Sequence, residues 1–383
     1  NASTGGMILN EFASYKFYRL CGLPSCNTTL FHLRIVDDAQ ESNSNDQYDG
    51  DFWGLYLALE EPDGRFLDEM EMPDGNLYKM NGGATKRNQG PDQVSSNSDV
   101  SSFISAKNRA NSLSWWEENT NLPSYYNYKI GTTLINNTDL RSEWNCLYYH
   151  RPIIPGDPNS DKWEMFPWDL DLTWESKFHI RSENVWENWQ NVFRYDDAET
   201  DFENRSREVW DLLCSSGEGA NVVEEMKRFL DGDGITRIVE ANQAMWDYHP
   251  RKRKKGIWYR NNPKLPSSKR NWEGLVEYMK NFVSPGGYGA GRLINEKADT
   301  NSIVPNKPTI SSVGSPEFPT NDLHFQSSTF SGRGSSFSGM EWRLAEVTDP
   351  GSAIFDPERP WVYEIDSVWE SGELASFGRR ISI

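Results

Sequence analysis

Asp169 and Asp171 close an apolar, aromatic run from Lys162 to Trp174, and their carboxylates are spaced i, i+2. In an extended segment that spacing puts both acids on one face and Leu170 on the other. Two adjacent acids repel, so the pair needs a compensating cation or a proton on one member. A divalent metal with oxygen ligands is one solution, and a strand end with both acids hydrated is the other. Paired acids also serve glycosidases, but these two lie too close to span a sugar bond. The second acid would have to come from Glu60 or Asp139. The five histidines are scattered and show no zinc spacing. Gly332-Arg333-Gly334-Ser335-Ser336 lacks the spacing of a nucleophile elbow.

A more economical constellation is Asp139, Asn145, Asp169 and Asp171. An Asp, an Asn a few residues on, and then a strand ending in Asp is an arrangement suited to phosphoryl transfer. The first Asp accepts a hydroxyl proton, while the Asn and the later Asp hold a divalent metal against nucleotide phosphates. Neither a phosphate-binding P-loop nor a kinase Gly-rich loop is present, which excludes an ordinary kinase.

These residues need a scaffold. Trp144–His150 and 162–169 read as two strands of a hairpin around the polar loop 152–161. Upstream, residues 5–22 read as an amphipathic helix stopped at Gly22. Strands are expected over Thr28–Val36, Phe52–Glu60 and Asn76–Met80, with a short helix or turn over Phe66–Met72. Residues 37–50 and 82–102 are polar and read as loops. Helices are expected over Arg205–Leu213, Ala220–Leu230, Ile235–Tyr248 and Trp272–Phe282. Gly287-Tyr288-Gly289-Ala290-Gly291 follows no strand, so it is a poor nucleotide fingerprint and reads as a helix-end loop. The basic run 251–255 reads as a solvated helix end or loop, the alternative being a docking site for an acidic partner or anion. Composition shifts over 301–308, a linker. The rest, 309–383, has four or five strand-like segments where a fibronectin-like sandwich needs about seven. That leaves an open edge: either the chain is truncated, or another copy supplies the missing strands in a homo-oligomer or filament.

Aromatic residues make up 13% of the 383-residue chain, including 16 Trp, which implies a sizeable core rather than disorder. A net charge of −18 argues against nucleic acid as a partner. No apolar run is long enough to span a membrane. The chain starts at Asn1 without an initiator Met, so it is expected to be processed or a fragment. Cys21 and Cys26 either close a tight disulfide loop or are two buried thiols. Glycosylation sequons stand at Asn1, Asn27, Asn136 and Asn204. Few basic residues, polar loops and abundant Trp lean toward an extracellular or cell-surface protein.

Four segments together carry a family resemblance. They are Gly54-Leu55-Tyr56 with Glu60 and Asp63; Gly75-Asn76-Leu77-Tyr78-Lys79; Asn136-x-x-Asp139 with Asn145; and Pro167-Trp168-Asp169-Leu170-Asp171-Leu172-Thr173-Trp174. In this order, across roughly residues 5–295, the chain resembles the spore-coat protein H (CotH) family of atypical kinases. The resemblance implies an atypical-kinase domain over 1–300; with the linker over 301–308 and the partial all-β sandwich over 309–383 read from composition, the expected architecture is α+β. It also implies ATP and Mg²⁺ as cofactors and protein Ser or Thr as substrate. Asp139 would be the base. Asn145, Asp169 and Asp171 would hold metal, and Glu60 and Lys79 would line the nucleotide side. The family has strands before its first helix, and these are expected to be missing here. It also has Gly where Glu175 follows Thr173-Trp174. The competing expectation is an inactive extracellular structural or adhesive protein that retains the kinase fold.

Overall fold

A computed structural model describes residues 8–34, 52–140, 143–174, 188–231, 239, 248–249, 254–255, 272–296, 304–315, 322–332, 336–344, 369–372 and 374–383. Asn1, Glu175, the loop expected over 37–50, nearly all of the helix expected over 235–248, Arg251 to Arg253, and part of the strand-like region expected over 309–383 lie outside these residues. The chain divides into two compact units, residues 1–195 with 205–295, and residues 196–204 with 296–383.

The first unit opens with α1 (Ile8–Leu20). Leu9, Ala13, Tyr15, Phe17, Tyr18 and Leu20 are all buried, so α1 is a core helix with apolar contacts on most of its circumference. It stops where the sequence places the stop. Gly22 adopts φ +81°, its amide bonds to Arg19 O, and the Leu23 amide reaches back to Tyr18 O. That pairing satisfies the last carbonyls of the helix. β1 (Thr28–Arg34) and β2 (Phe52–Leu59) form an antiparallel pair. α2 (Gly64–Glu69) follows, capped by the Asp63 carboxylate on Arg65 N at 2.9 Å.

The central sheet has the antiparallel order β4-β3-β5-β6, from β3 (Asn76–Asn81), β4 (Ala84–Asn88), β5 (Trp144–His150) and β6 (Trp163–Pro167). Three helices connect β4 to β5: α3 (Ser98–Lys107), α4 (Leu113–Asn119) and α5 (Leu122–Leu134). The stretch 82–102, expected to be loop, thus contains a strand and the start of a helix. The Asn76 carboxamide of β3 ties this stretch down by tertiary bonds to its backbone. Asn76 Oδ1 accepts from Gly90 N at 3.0 Å, and Asn76 Nδ2 donates to Val94 O at 3.0 Å. Aromatic rings fill the space between sheet and helices. Trp163 is stacked between Phe103 (centroids 4.6 Å apart) and His150 (4.3 Å). A 3-10 helix, Asn188–Arg194, adds Trp189 against Tyr148 and Phe103.

α6 (Asp196–Val209), a π-helical turn (Trp210–Ser215), α7 (Glu218–Asp231), a two-residue pair of β7 (Tyr248–His249) and β8 (Lys254–Lys255), α8 (Trp272–Val283) and α9 (Tyr288–Glu296) follow. The glycine run 287–291 therefore enters a helix instead of forming a helix-end loop. A Cβ on Gly289 would meet Leu134 O at 1.9 Å, so the missing side chain lets α9 press on the end of α5. Gly131 serves the same end between α5 and α1, where a Cβ would meet the Tyr18 ring at 2.6 Å.

All four cysteines are free and buried. The Cys21–Cys26 bridge weighed from the sequence is not formed. Both thiols are instead packed at the end of α1, and burial pushes each pKa up to about 12. In the second unit, β9 (Ile310–Ser312), β10 (His324–Ser327) and β13 (Arg380–Ser382) form a sheet of order β13-β10-β9, and β11 (Arg343–Leu344) pairs with β12 (Trp369–Glu370). The architecture is α+β, as expected.

Candidate active site

The hairpin read from the sequence is present, with Cys146 opposite Pro167 and His150 opposite Trp163. It ends earlier than expected. β6 stops at Pro167, which has no amide to continue a ladder, and Asp169 turns into the left-handed region at φ +59°. The expectation that Asp169 and Asp171 share one face of an extended strand is therefore corrected. The acids sit on a turn beyond the strand, with Leu170 fully buried between them.

Two elements hold that turn. The first is the segment after α5, where Trp174 N donates to Ile135 O at 2.7 Å and Thr138 N donates to Leu172 O at 3.1 Å. The second is α1. Ser14 Oγ and Thr173 Oγ1 lie 2.8 Å apart, Asn10 Nδ2 donates to Thr173 O at 3.4 Å, and Trp174 Nε1 donates to Asn10 O at 3.1 Å and to Ser14 Oγ at 3.0 Å. The buried Trp174 ring meets Phe17 edge-on at 4.9 Å. Asn145, at the start of β5, closes the arrangement by donating from Nδ2 to Asp139 O at 2.8 Å.

Backbone strain marks the same place. Of the seven described non-glycine residues with positive φ, five are Asn136, Glu143, Asn145, Asp169 and Trp174, all on these three segments. Each such conformation costs on the order of 1 kcal/mol or more, and strain of this kind concentrates at functional sites.

The electrostatics are those of an anionic cluster short of positive charge. The Asp169 carboxyl is raised above the usual carboxylate range, first because protein crowds it from water, then by repulsion from Asp171 and Asp139; Lys79 opposes this. Lys79 lies with Nζ 4.3 Å over the Trp168 ring, and its pKa is lowered by burial and then by Arg87, against the pull of Asp169 and Glu61. Among the described residues, no three His, Cys, Asp or Glu side chains converge into a complete metal cage. Mg²⁺ in nucleotide sites needs no such cage, because one or two carboxylates share it with phosphates and water. A crowded acid with a neighbouring carboxamide fits that ligand set.

The family model for CotH kinase protein matches residues 6–285. The chain belongs to the CotH kinase family. No curated protein matches it. The CotH match runs from α1 through the acid turn to α8. Within this CotH scaffold Asp139, Asn145, Asp169, Asp171 and Lys79 are brought into one neighbourhood. Glu60 is placed differently. Its carboxylate accepts from Asn27 N at 2.8 Å and so closes the base of the β1–β2 hairpin, while the acids felt by Lys79 are Asp169 and then Glu61, itself paired to Arg87 at 2.9 Å.

One acid of the site was missed from the sequence. Glu11, on α1, has its pKa raised to about 7, first by burial and then by Asp171, with Asp169 adding to the effect. Its signal was the polar set Asn10, Glu11 and Ser14 on a helix otherwise read for its apolar face. The sequons also separate. Asn136 is 2% exposed and its carboxamide oxygen accepts from Arg292, so the folded chain leaves no room for a glycan there. Asn204 is exposed on α6, and Asn27 is half-buried.

Proposed function

We propose that the chain is a CotH-type atypical kinase that transfers the γ-phosphoryl group of ATP to Ser or Thr of a protein substrate. The observation that carries this reading is the crowding of Asp169 by Asp171 and Asp139, with the Asn145 carboxamide tied to the Asp139 backbone. Asp169, Asp171 and Asn145 would hold Mg²⁺, which when bound supplies the charge that offsets phosphate oxygens. Asp139 takes the proton from the attacking hydroxyl at its carboxylate. Lys79, facing Asp169 from β3, adds a positive charge on the phosphate side. Titration calorimetry with ATP and Mg²⁺, on the chain and on its Asp169→Ala variant, tests the reading. Binding that requires both metal and Asp169 supports it, and no metal-dependent nucleotide binding in the full-length protein overturns it.

A second reading, an inactive kinase fold with a structural or adhesive role, is favoured by the engagement of Glu60 in hairpin closure. The same titration separates the two. We further propose an extracellular or cell-surface location, on the strength of composition and the exposed Asn204 sequon, and a fibronectin-like module after the linker 301–308. The open strands of that module would suit a neighbouring copy, which light scattering would detect as an oligomer.

A further inference from the structure

Lys107, the last residue of α3, has a fully buried side chain whose ammonium donates to Glu143 Oε1 at 2.8 Å and lies 3.4 Å from Asn108 Oδ1. Glu143 stands two residues before Asn145, and both adopt φ +56°. The Glu143 backbone is fixed as well, because its carbonyl accepts from Gly82 N at 2.9 Å, on the β3–β4 turn. Its carboxylate also neighbours the buried Tyr148 hydroxyl, which accepts from Trp189 Nε1 at 3.0 Å. Burial lowers the Lys107 pKa, and the Glu143 charge opposes that loss. At the other end of α3, Asp99 is bound to Asn76 and Tyr78 of β3. With a rise of 1.5 Å per residue, α3 is a strut about 12 Å long between these two anchors. It joins the sheet to the segment that carries Asn145.

We propose that the buried Lys107–Glu143 pair is a positioning device, holding the entry to β5 in its left-handed conformation so that the Asn145 carboxamide is presented beside Asp139. Lys107 and Glu143 touch no substrate; they act through Asn145. The inference rests on the kinase reading for its catalytic consequence, but not for its structural one.

A buried ion pair gives the means to separate position from stability. Removing one partner strands a buried charge and destabilises strongly, whereas neutralising both often restores stability. Lys107→Met should lower Tm, and Lys107→Met combined with Glu143→Gln should recover most of it. In that stable double variant, kcat is expected to fall about 100-fold while KM for ATP stays near the wild-type value. The side-chain ¹⁵N resonance of Asn145, assigned by its loss in Asn145→Ala, should move toward that of a free carboxamide. Lys107→Arg keeps the charge and should restore both the resonance and most of kcat. A stable double variant with an unmoved Asn145 resonance overturns the proposal, and so does a Lys107→Arg protein indistinguishable from Lys107→Met. If the wild type transfers no phosphate, the Asn145 resonance alone decides the positioning, so the two readings fail separately.

Discussion

Asp99 and Asp169 are carboxylates at the two ends of one architecture, and their surroundings are opposite. Asp99 accepts from Tyr78 OH at 2.6 Å, Val100 N at 2.8 Å and Asn76 Nδ2 at 2.9 Å, with His150 Nδ1 at 3.4 Å. Burial alone would raise its pKa, but hydrogen bonds from His150, Tyr78, Asn76 and the Val100 amide outweigh it and hold the carboxyl well below the usual range. Asp169 has acids for neighbours and its pKa is raised. An acid with enough donors is a structural tie. One left among other acids lacks that tie, and it is the acid that the proposed kinase reading assigns to a metal ion.

Substitutions at the two acids should therefore have opposite signatures. Asp169→Asn is expected to reduce phosphoryl transfer about 1,000-fold, roughly 4 kcal/mol of transition-state stabilisation, while leaving Tm of the metal-free protein equal or higher. Steady-state kinetics and differential scanning calorimetry on the same sample read both. A marked fall in Tm would break the contrast.

Asp99→Ala is expected to cost about 3 kcal/mol of stability, because it leaves buried donors on Asn76 and Tyr78 without an acceptor. Urea unfolding at neutral pH measures this. The pH dependence sharpens it. A carboxyl with a depressed folded pKa contributes stability that is complete above its unfolded value, near 4, and is lost as pH falls through the folded value. The urea midpoint of wild type should therefore drop below about pH 4 by more than that of Asp99→Ala.

The smallest effect is expected at Glu11. Its folded pKa of about 7 lies above the unfolded value of 4.5. Its ionisation therefore opposes folding progressively as pH rises from the lower value to the higher. Glu11→Gln should raise stability at pH 8 by on the order of 1 kcal/mol and leave it unchanged at pH 4. Equal gains at both pH values would mean that charge is not the cause.

The legible parts were those whose signals are local. The aromatic run Trp144–His150 and the polar break before Trp163 make the hairpin readable, and Gly22 marks the end of α1. What was not legible depends on partners far along the chain. The start of α3, Ser98 to Ser102, looks like loop until Asp99 finds Asn76, Tyr78 and His150. The glycines at 287–291 look like a break until the closeness of Leu134 O is known. Residue type and spacing single out Asp169, Asp171 and Asp139 as candidates, but the left-handed turn at Asp169 depends on Trp174 and Thr173 docking on α1. Glu11 gives only a weak signal, a polar residue on a helix read for its apolar face, and Lys107 gives none, since its partner Glu143 is 36 residues away.

The cross-ties between α1 and the acid turn have a thermodynamic consequence. Asn10, Ser14, Thr173 and Trp174 are bonded to one another, so the turn has little freedom left to lose when a ligand reaches Asp169. Ligand binding there should carry a small entropy penalty and a small heat-capacity change, in contrast to the signature of a segment that folds around its ligand. The same bonds couple the position of the acid turn to that of α1. A regulator that tilted α1 would carry Asp169 and Asp171 with it.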